Sequence, residues 1–519
     1  MQAVDGTRRS GELWLVLATG LAASLPVIVA VVGAVADRWV PLADNAVIVL
    51  RSWDVFTAQS PLVGQYSIAT ADAVGDVYSP GPLLYWLLAV PVRVFGIDSV
   101  PVTLGLVNVA SIVGAVALAR RRGGLVFMFV AAIALALMCR SLSPAILYTP
   151  FNPTAPLIPC TLLVFLAWSL ACGEYRLLPL AVLVASFVMQ THLAYVIPAL
   201  GSLAVGGIGL LITRPAHSRR WLVAALLVGI ACWSAPLIDE IVHEPGNLTM
   251  LGRTLTAERT TLGASAGWHA AVRAFGAPPW WLRSDVGDGA RFADMLTDPS
   301  RPSILAFLAL VGLLAAVAVL CRRRREVVSA AVLGLVLIGA LAALAAATPV
   351  ERVITLGYTM QWGSPAGMFA WLAAALGVLA VLAPVRRFEP RGSGVLVAGL
   401  VLALAAGVWA SADREPYPNR SVYEPARRIA SELESKLPRD RTVFLEEGGG
   451  EVGYLSYPFL VYSLRRDGYR VLVVPRSVES MGSYYGVTKR RYDISVRLVE
   501  ADKGVVNVVL GPGGVGRRR

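Results

Sequence analysis

Charge is what this chain has least of. Only 15% of its 519 residues are charged against 56% hydrophobic, and mean hydropathy is +0.64. A soluble globular chain carries about 25% charged residues, so a water-soluble enzyme is excluded. Acids are scarcest inside the apolar runs. Proton- and ion-coupled transporters usually bury carboxylates near the bilayer midplane, so this distribution argues against that class. Cysteine is also sparse. The five present (Cys139, Cys160, Cys172, Cys232, Cys321) lie in or at the ends of apolar runs, without metal-ligand spacing and with no two in one exposed loop. They read as small core residues rather than as a disulfide framework or a metal site. Internal repeats and low-complexity tracts are absent.

Apolar runs are what the chain has in abundance. They fall roughly at 12–36, 99–119, 124–142, 155–173, 176–190, 193–213, 220–238, 303–321, 327–347, 365–384 and 394–411. Most approach the ~20 residues needed to cross a ~30 Å hydrocarbon core. The formal charge of +12 sits mainly in Arg clusters between these runs. That is where the positive-inside rule puts them, so the basic surplus points to lipid and not to nucleic acid. The opening MQAVDGTRRSGELWLV has basic residues before an apolar run too long for a signal peptide, and reads as an uncleaved first span.

Flanking charges set the direction of each run. Arg8-Arg9 hold the N-terminus in the cytoplasm. The segment 82–95 is short and carries Pro91 and Arg93. As a full span it would send Arg120-Arg121-Arg122 outside. As an interfacial helix it leaves that triplet inside, together with Arg176, Arg214 with Arg219-Arg220, Arg322 to Arg325, and Arg386-Arg387. The expectation is therefore an α-helical polytopic protein of the plasma (inner) membrane with about 11 transmembrane helices over 1–411. Its extracytoplasmic parts are a first loop (37–98) with a juxtamembrane helix, shorter loops near 143–154, 190–192 and 348–364, a long loop (239–302), and the tail. The pair 176–190 and 193–213 leaves little room for two crossings, so one is short or re-entrant.

The tail, 412–519, is a different material. SVYEPARRIASELESKLP has helical periodicity, RTVFLEE, YRVLVVPRS and VVNVVLGPG read as strands, and PFLVYSLRRDGY as a helix between the first two. Such alternation predicts a small α/β domain, ending in a disordered GGVGRRR.

The external ends of spans hold the chemistry. Asp37, Asp44 and Asp54 follow the first run, and Asp239, Glu240 and Glu244 follow the seventh. Asp44 has apolar neighbours, a setting that raises a carboxylate pKa and suits a general base; it also precedes a helical pattern and fits an N-cap. Asp54 falls on the polar face of that helix and reads as solvated. Asp72 and Asp76 suit a lid or a weak cation site. His192 and His243 admit either a packing role or a part in the site. Among external arginines, Arg51, Arg93, Arg140, Arg253, Arg273, Arg283 and Arg352 are candidates for a phosphate, which a guanidinium holds bidentately, with snorkelling to headgroups as the alternative for each. PPWWLR (Pro278 to Arg283) fits an interfacial aromatic anchor, or a platform for a sugar ring.

These features resemble the GT-C superfamily of integral-membrane glycosyltransferases, in the branch of protein mannosyl- and lipid A aminoarabinosyltransferases. The resemblance rests on Asp44 in LADNAV, on Tyr78-Ser79-Pro80-Gly81-Pro82 leading into Leu83-Leu84-Tyr85-Trp86 and on to Phe95-Gly96, and on a following span ending Ala119-Arg120-Arg121-Arg122-Gly123. It covers about the first 125 residues; beyond them the layout is similar to actinobacterial cell-wall arabinosyl- and mannosyltransferases. The resemblance implies a polyprenyl-phosphate sugar donor, an extracytoplasmic glycan, lipid or protein acceptor, and inversion at the anomeric carbon. Asp44 would be the base. Asn45, Arg51, Tyr78, Ser79, His192, Asp239, Glu240, His243, Arg253 and Arg352 are the residues expected to line the substrate site. The chain departs from that branch in carrying Asn45 where a second acid often stands, and Ser79 where a Lys tends to precede the turn. No cofactor is called for, and the sequence leaves open whether a divalent cation assists. Two other classes remain open to the sequence: a transporter or flippase of lipid-linked glycans, and a non-catalytic envelope-assembly protein.

Overall fold

A computed structural model describes residues 2–67, 75–214, 216, 218–283, 297–382, 393–412, 419–502 and 505–516. Asp72 and the Arg386-Arg387 pair lie outside the described residues. The chain is mostly helical and carries one small sheet.

Seven helices are long and apolar enough to cross a membrane, or eight when the bent pair α1 (Gln2–Ala23) and α2 (Leu25–Ala36) is taken as one span. Their outer faces are apolar too: Leu211 is 74% and Leu305 67% exposed. Side chains of that kind belong against lipid, not water.

Helix α5 (Ser99–Arg140) is one continuous assignment across a sharp reversal. Kept straight, its rise of about 1.5 Å per residue would separate Asn108 from Arg140 by about 48 Å. Yet Asn108 Nδ2 donates to the carbonyl of Leu147 at 2.8 Å, a distance the intervening loop could not recover. The chain turns back at Gly124, whose φ of 85° and ψ of −170° suit glycine alone.

The remaining bundle comprises α6 (Leu157–Ala171), α7 (Leu178–Thr191), α8 (Val196–Thr213), α9 (Arg219–Val242), α12 (Arg301–Leu320), α13 (Arg325–Ala347), α14 (Gly363–Leu382) and α15 (Ser393–Ser411). The doubtful pair 176–213 resolves into α7 and α8, separated by extended His192 and a single 3-10 turn. Helix α6 is buried along its whole length.

Polar contacts sort the loops onto two ends of this bundle. At one end Arg120 pairs with Glu12, Arg121 and Arg122 pair with Glu174, Trp168 Nε1 donates to the Glu326 carbonyl, and Arg324 donates to the Ala380 carbonyl. At the other end the backbone of Thr260 and Leu262 bonds to that of Val350 and Thr348, and Arg140 donates to the carbonyls of Trp409 and Ala412. The first loop, with α3 (Asp44–Asp54) and α4 (Leu83–Phe95), lies at this second end. So do α10 (Asn247–Thr256) and α11 (Gly263–Phe275) of the long loop. The arginine-rich turns therefore gather at one end and the carboxylate-rich loops at the other.

The tail packs α16 (Tyr423–Lys436) and α17 (Gly450–Arg466) on a four-stranded sheet of order β2-β1-β3-β4. Strands β1 (Thr442–Glu446), β2 (Arg470–Leu472) and β3 (Arg491–Asp502) run parallel, and β4 (Val505–Val515) returns antiparallel to β3. Two readings change here. Strand β3 was not anticipated, although Ile494, Val496 and Leu498 alternate along it. The stretch 513–515, expected to be disordered, pairs with β3 through Val515 and Gly514.

The reading of Trp280 in the long loop is also corrected. Trp280 is fully buried, not an interfacial anchor. It packs against Gly363 so closely that a Cβ there would stand 2.8 Å from its ring.

Candidate active site

The tail domain is seated directly on the first loop. Arg420 pairs with Asp37, Arg427 donates to the Arg38 carbonyl at 2.9 Å, and the Leu455 carbonyl accepts from Ala43 N–H at 2.8 Å. Tyr462 meets Trp53 edge-on at 6.0 Å. Asp54, at the far end of α3, accepts from Tyr485 Oη at 3.0 Å and from Arg51 at 2.9 Å. It is fully buried, against the expectation of a solvated residue. Desolvation dominates there and raises its pKa despite Arg51, Tyr485 and Arg465.

Helix α3 forms because Ala46 to Leu50 are all apolar and buried between the bundle and the tail. Asp44 is its first residue, where a carboxylate faces the positive end of the helix dipole. Ala43 occupies the capping position, and no side chain caps the helix, so the N-cap alternative for Asp44 is not realised. Ala43 has φ 47° and ψ −127°, a conformation costing a non-glycine residue on the order of 1–3 kcal/mol.

Asp44 is itself exposed at the head of α3, although much of the protein is packed around it. That enclosure raises its pKa above the ordinary 3.8 by desolvation. Asn45 Oδ1 beside it is buried and has no hydrogen-bond partner among the described residues.

Three residues distant in sequence gather near Asp44: Tyr358, Arg352 and His192. The charge of Asp44 is felt at Tyr358, as is that of Arg352. Burial, with Asp44 next, pushes the Tyr358 hydroxyl pKa up. His192 lies edge-on to Tyr358 at 6.5 Å, and Phe151 at 5.9 Å. His192 Nδ1 accepts from Ala194 N–H at 3.2 Å, so the neutral ring carries its proton on Nε2. Desolvation pushes its pKa down to about 4, which keeps the ring neutral at physiological pH. His192 is then a donor through Nε2 and not a base at that atom.

A second group joins the first through Tyr85, which senses Asp44, Arg51 and Tyr78 and donates to Gln65 at 3.0 Å. Tyr78 and Ser79 belong to the Pro-rich turn, which Asn247 fastens. The Asn247 amide accepts from Tyr78 N–H at 2.9 Å and donates to the Tyr78 carbonyl at 3.1 Å. Tyr78 meets Tyr66 edge-on at 5.6 Å. Burial, with Asp76 and Glu479 nearby, lifts the Tyr78 hydroxyl to about 12. Gly81 allows the turn to lie on α7, since a Cβ there would stand 2.2 Å from Gln190 Oε1.

The acids after the seventh run organise this turn. Asp239 accepts from Asn247 N–H at 2.9 Å and from His243 Nδ1 at 2.8 Å. Glu240 accepts from the N–H groups of Leu248 and Thr249 at 3.0 and 3.2 Å. Both carboxylates thus satisfy the amino end of α10. Hydrogen bonds from Thr249 hold Glu240 below the usual carboxylate range. Arg253 lies on the exposed side of α10.

The fold thus brings Asp44, His192 and Arg352 into one group, and Arg51, Tyr78, Ser79 and Asp239 into its neighbour. Glu240, His243 and Arg253 sit further out around α10. Sequence reasoning missed Tyr358, Tyr85, Asn247 and Tyr485. Tyr85 stood inside the quoted Pro-rich motif. Asn247 and Tyr485 carried no signal, because each acts on a partner more than a hundred residues away. Among the described residues no cluster of His, Cys, Asp or Glu could hold a metal ion.

Together the bundle and its docked α/β domain define a polytopic helical membrane protein with a cluster of polar side chains around Asp44 and Tyr358 at one end. No known family model and no curated protein sequence matches the chain.

Proposed function

We propose that this chain is an inverting, membrane-embedded glycosyltransferase of GT-C type, taking a sugar from a polyprenyl phosphate on the outer face of the membrane. The observation that carries the reading is Asp44, a carboxylate with its pKa raised by enclosure, held at the head of α3 beside His192, Tyr358 and Arg352. A hydrophobic donor tail can reach such a place from the bilayer, and a hydroxyl acceptor can reach it from water.

The reaction is a single displacement. Asp44 accepts the proton of the acceptor hydroxyl as its oxygen bonds to the anomeric carbon. The sugar–phosphate C–O bond breaks with its electron pair leaving on the polyprenyl phosphate. Base assistance contributes on the order of 10²–10⁴ in rate. Arg352 and the Nε2–H of His192 are donors of the right kind for the departing phosphate, where fixed dipoles act most strongly. Arg51 is already partly neutralised by Asp54. The unpartnered Asn45 Oδ1 supplies an acceptor for a sugar hydroxyl. A divalent cation is not needed by this scheme.

The topology that goes with this reading has eleven spans. Helix α5 counts twice, α1 with α2 once, and α6 and α7 complete the set. The end holding Arg120, Arg121, Arg122 and Arg324 would be cytoplasmic, and the end holding the tail extracytoplasmic.

The test is transfer of label from a panel of polyprenyl-phosphate sugars in membranes containing the protein. Product formation that depends on one donor supports the proposal. Absence of transfer from every donor, with intact expression, would contradict it in favour of a flippase or an assembly factor.

A further inference from the structure

The segment between the first span and α3 is held from outside the membrane region at every turn. Its two non-glycine residues in the left-handed φ region are Arg38 (φ 50°) and Ala43 (φ 47°). Each is fastened by main-chain bonding to the tail: Arg427 donates to the Arg38 carbonyl, and the Leu455 carbonyl accepts from Ala43 N–H. Strained conformations persist only where the surroundings over-determine them. Here the over-determining partner is a domain more than 370 residues away in sequence. Asp44 is the very next residue after Ala43, so the direction of its carboxylate follows from Ala43's ψ of −127°.

We propose that the tail domain is a positioning part of the site. Docked, it keeps the 37–43 segment strained and thereby presents the Asp44 carboxylate toward Tyr358 and its neighbours; undocked, the segment relaxes and the carboxylate turns away. The far end of α3 is held by the same domain through the Asp54–Tyr485 bond, so the helix is gripped at both ends. The consequence for catalysis rests on the glycosyltransferase reading, whereas the positioning itself does not.

The experiment uses the full chain in nanodiscs and weakens the tail's hold on the 37–43 segment with the double substitution Arg420→Ala/Arg427→Ala, which removes its side-chain bonds to Asp37 and to the Arg38 carbonyl. One readout is independent of any reaction: the rate at which a small charged thiol reagent labels an Asp44→Cys variant, with and without the double substitution. The native cysteines are mostly buried and give little background. The second is transfer by the doubly substituted protein with Asp44 intact. The expected result is a change in labelling rate of at least about tenfold, and a fall in kcat of at least about tenfold with the donor KM kept within about twofold, as misplacement of one reacting group produces. The single substitution Arg427→Ala carries the same test if the double variant does not fold. Unchanged labelling would overturn the positioning proposal. Altered labelling together with no transfer even by the intact parent would uphold it and sink the glycosyltransferase reading.

Discussion

At Asp44 function and stability pull in opposite directions. Enclosure raises its pKa above 3.8, so the folded protein binds a proton more readily than the unfolded chain does. The folding stability linked to this group is complete below the ordinary carboxylate value and is lost as pH rises through the raised one. Asp44→Asn should therefore melt at a higher temperature than the parent at pH 7, with the difference vanishing below about pH 3.8. A lower melting temperature at pH 7 would show that the charge is stabilised by partners, and thermal unfolding across pH reads this directly. His192 gives the complementary expectation. Neutral down to about 4, it places no titration near pH 6.5 in the transfer profile, whose acid limb belongs to Asp44. An inflection near 6.5 that disappears in His192→Gln would contradict this assignment. The apolar setting of Asp44 was legible from its sequence neighbours, and the direction of its pKa shift agrees with that setting. The buried state of Asp54 was not, because Tyr485 closes over it from the opposite end of the chain.

Among the elements, α7 and the Pro-rich turn are fitted to each other. Gly81→Ala would push a methyl onto Gln190, and overpacking of this kind costs about 1–3 kcal/mol. The same substitution should also slow transfer, since Tyr78 and Ser79 lie on the displaced turn. Unfolding and kinetics of one preparation check both effects. Trp280 tests the corrected reading of the long loop. As a fully buried side chain packed on Gly363, it should cost about 3–5 kcal/mol when replaced by Ala, whereas an interfacial anchor would cost far less. Periodicity located the bundle helices and both tail helices. It missed β3, although Ile494, Val496 and Leu498 alternate there with outward-facing polar residues as in a half-buried strand. It failed again at Trp280, because aromatic residues next to Pro read alike whether they face headgroups or a neighbouring helix.

For the whole molecule, the charge ledger along the chain anticipated which loops share an end. Glu12, Arg120, Arg122 and Glu174 meet at one end, and Asp37 and Arg420 meet at the other. What the ledger could not reveal is that the tail is seated on the first loop, since docking depends on surface shape and on backbone groups such as the Leu455 carbonyl. Sidedness has its own check in intact cells: a cysteine at Glu434 should react with an impermeant thiol reagent, and a cysteine at Arg323 should not. The central claim, that Asp44 is the base of a sugar transfer, is tested most directly by measuring binding and turnover of one labelled polyprenyl-phosphate sugar with purified Asp44→Asn. The account predicts donor affinity within about twofold of the parent and a turnover lower by about 10²–10⁴. Undiminished turnover in a folded Asp44→Asn protein would contradict it.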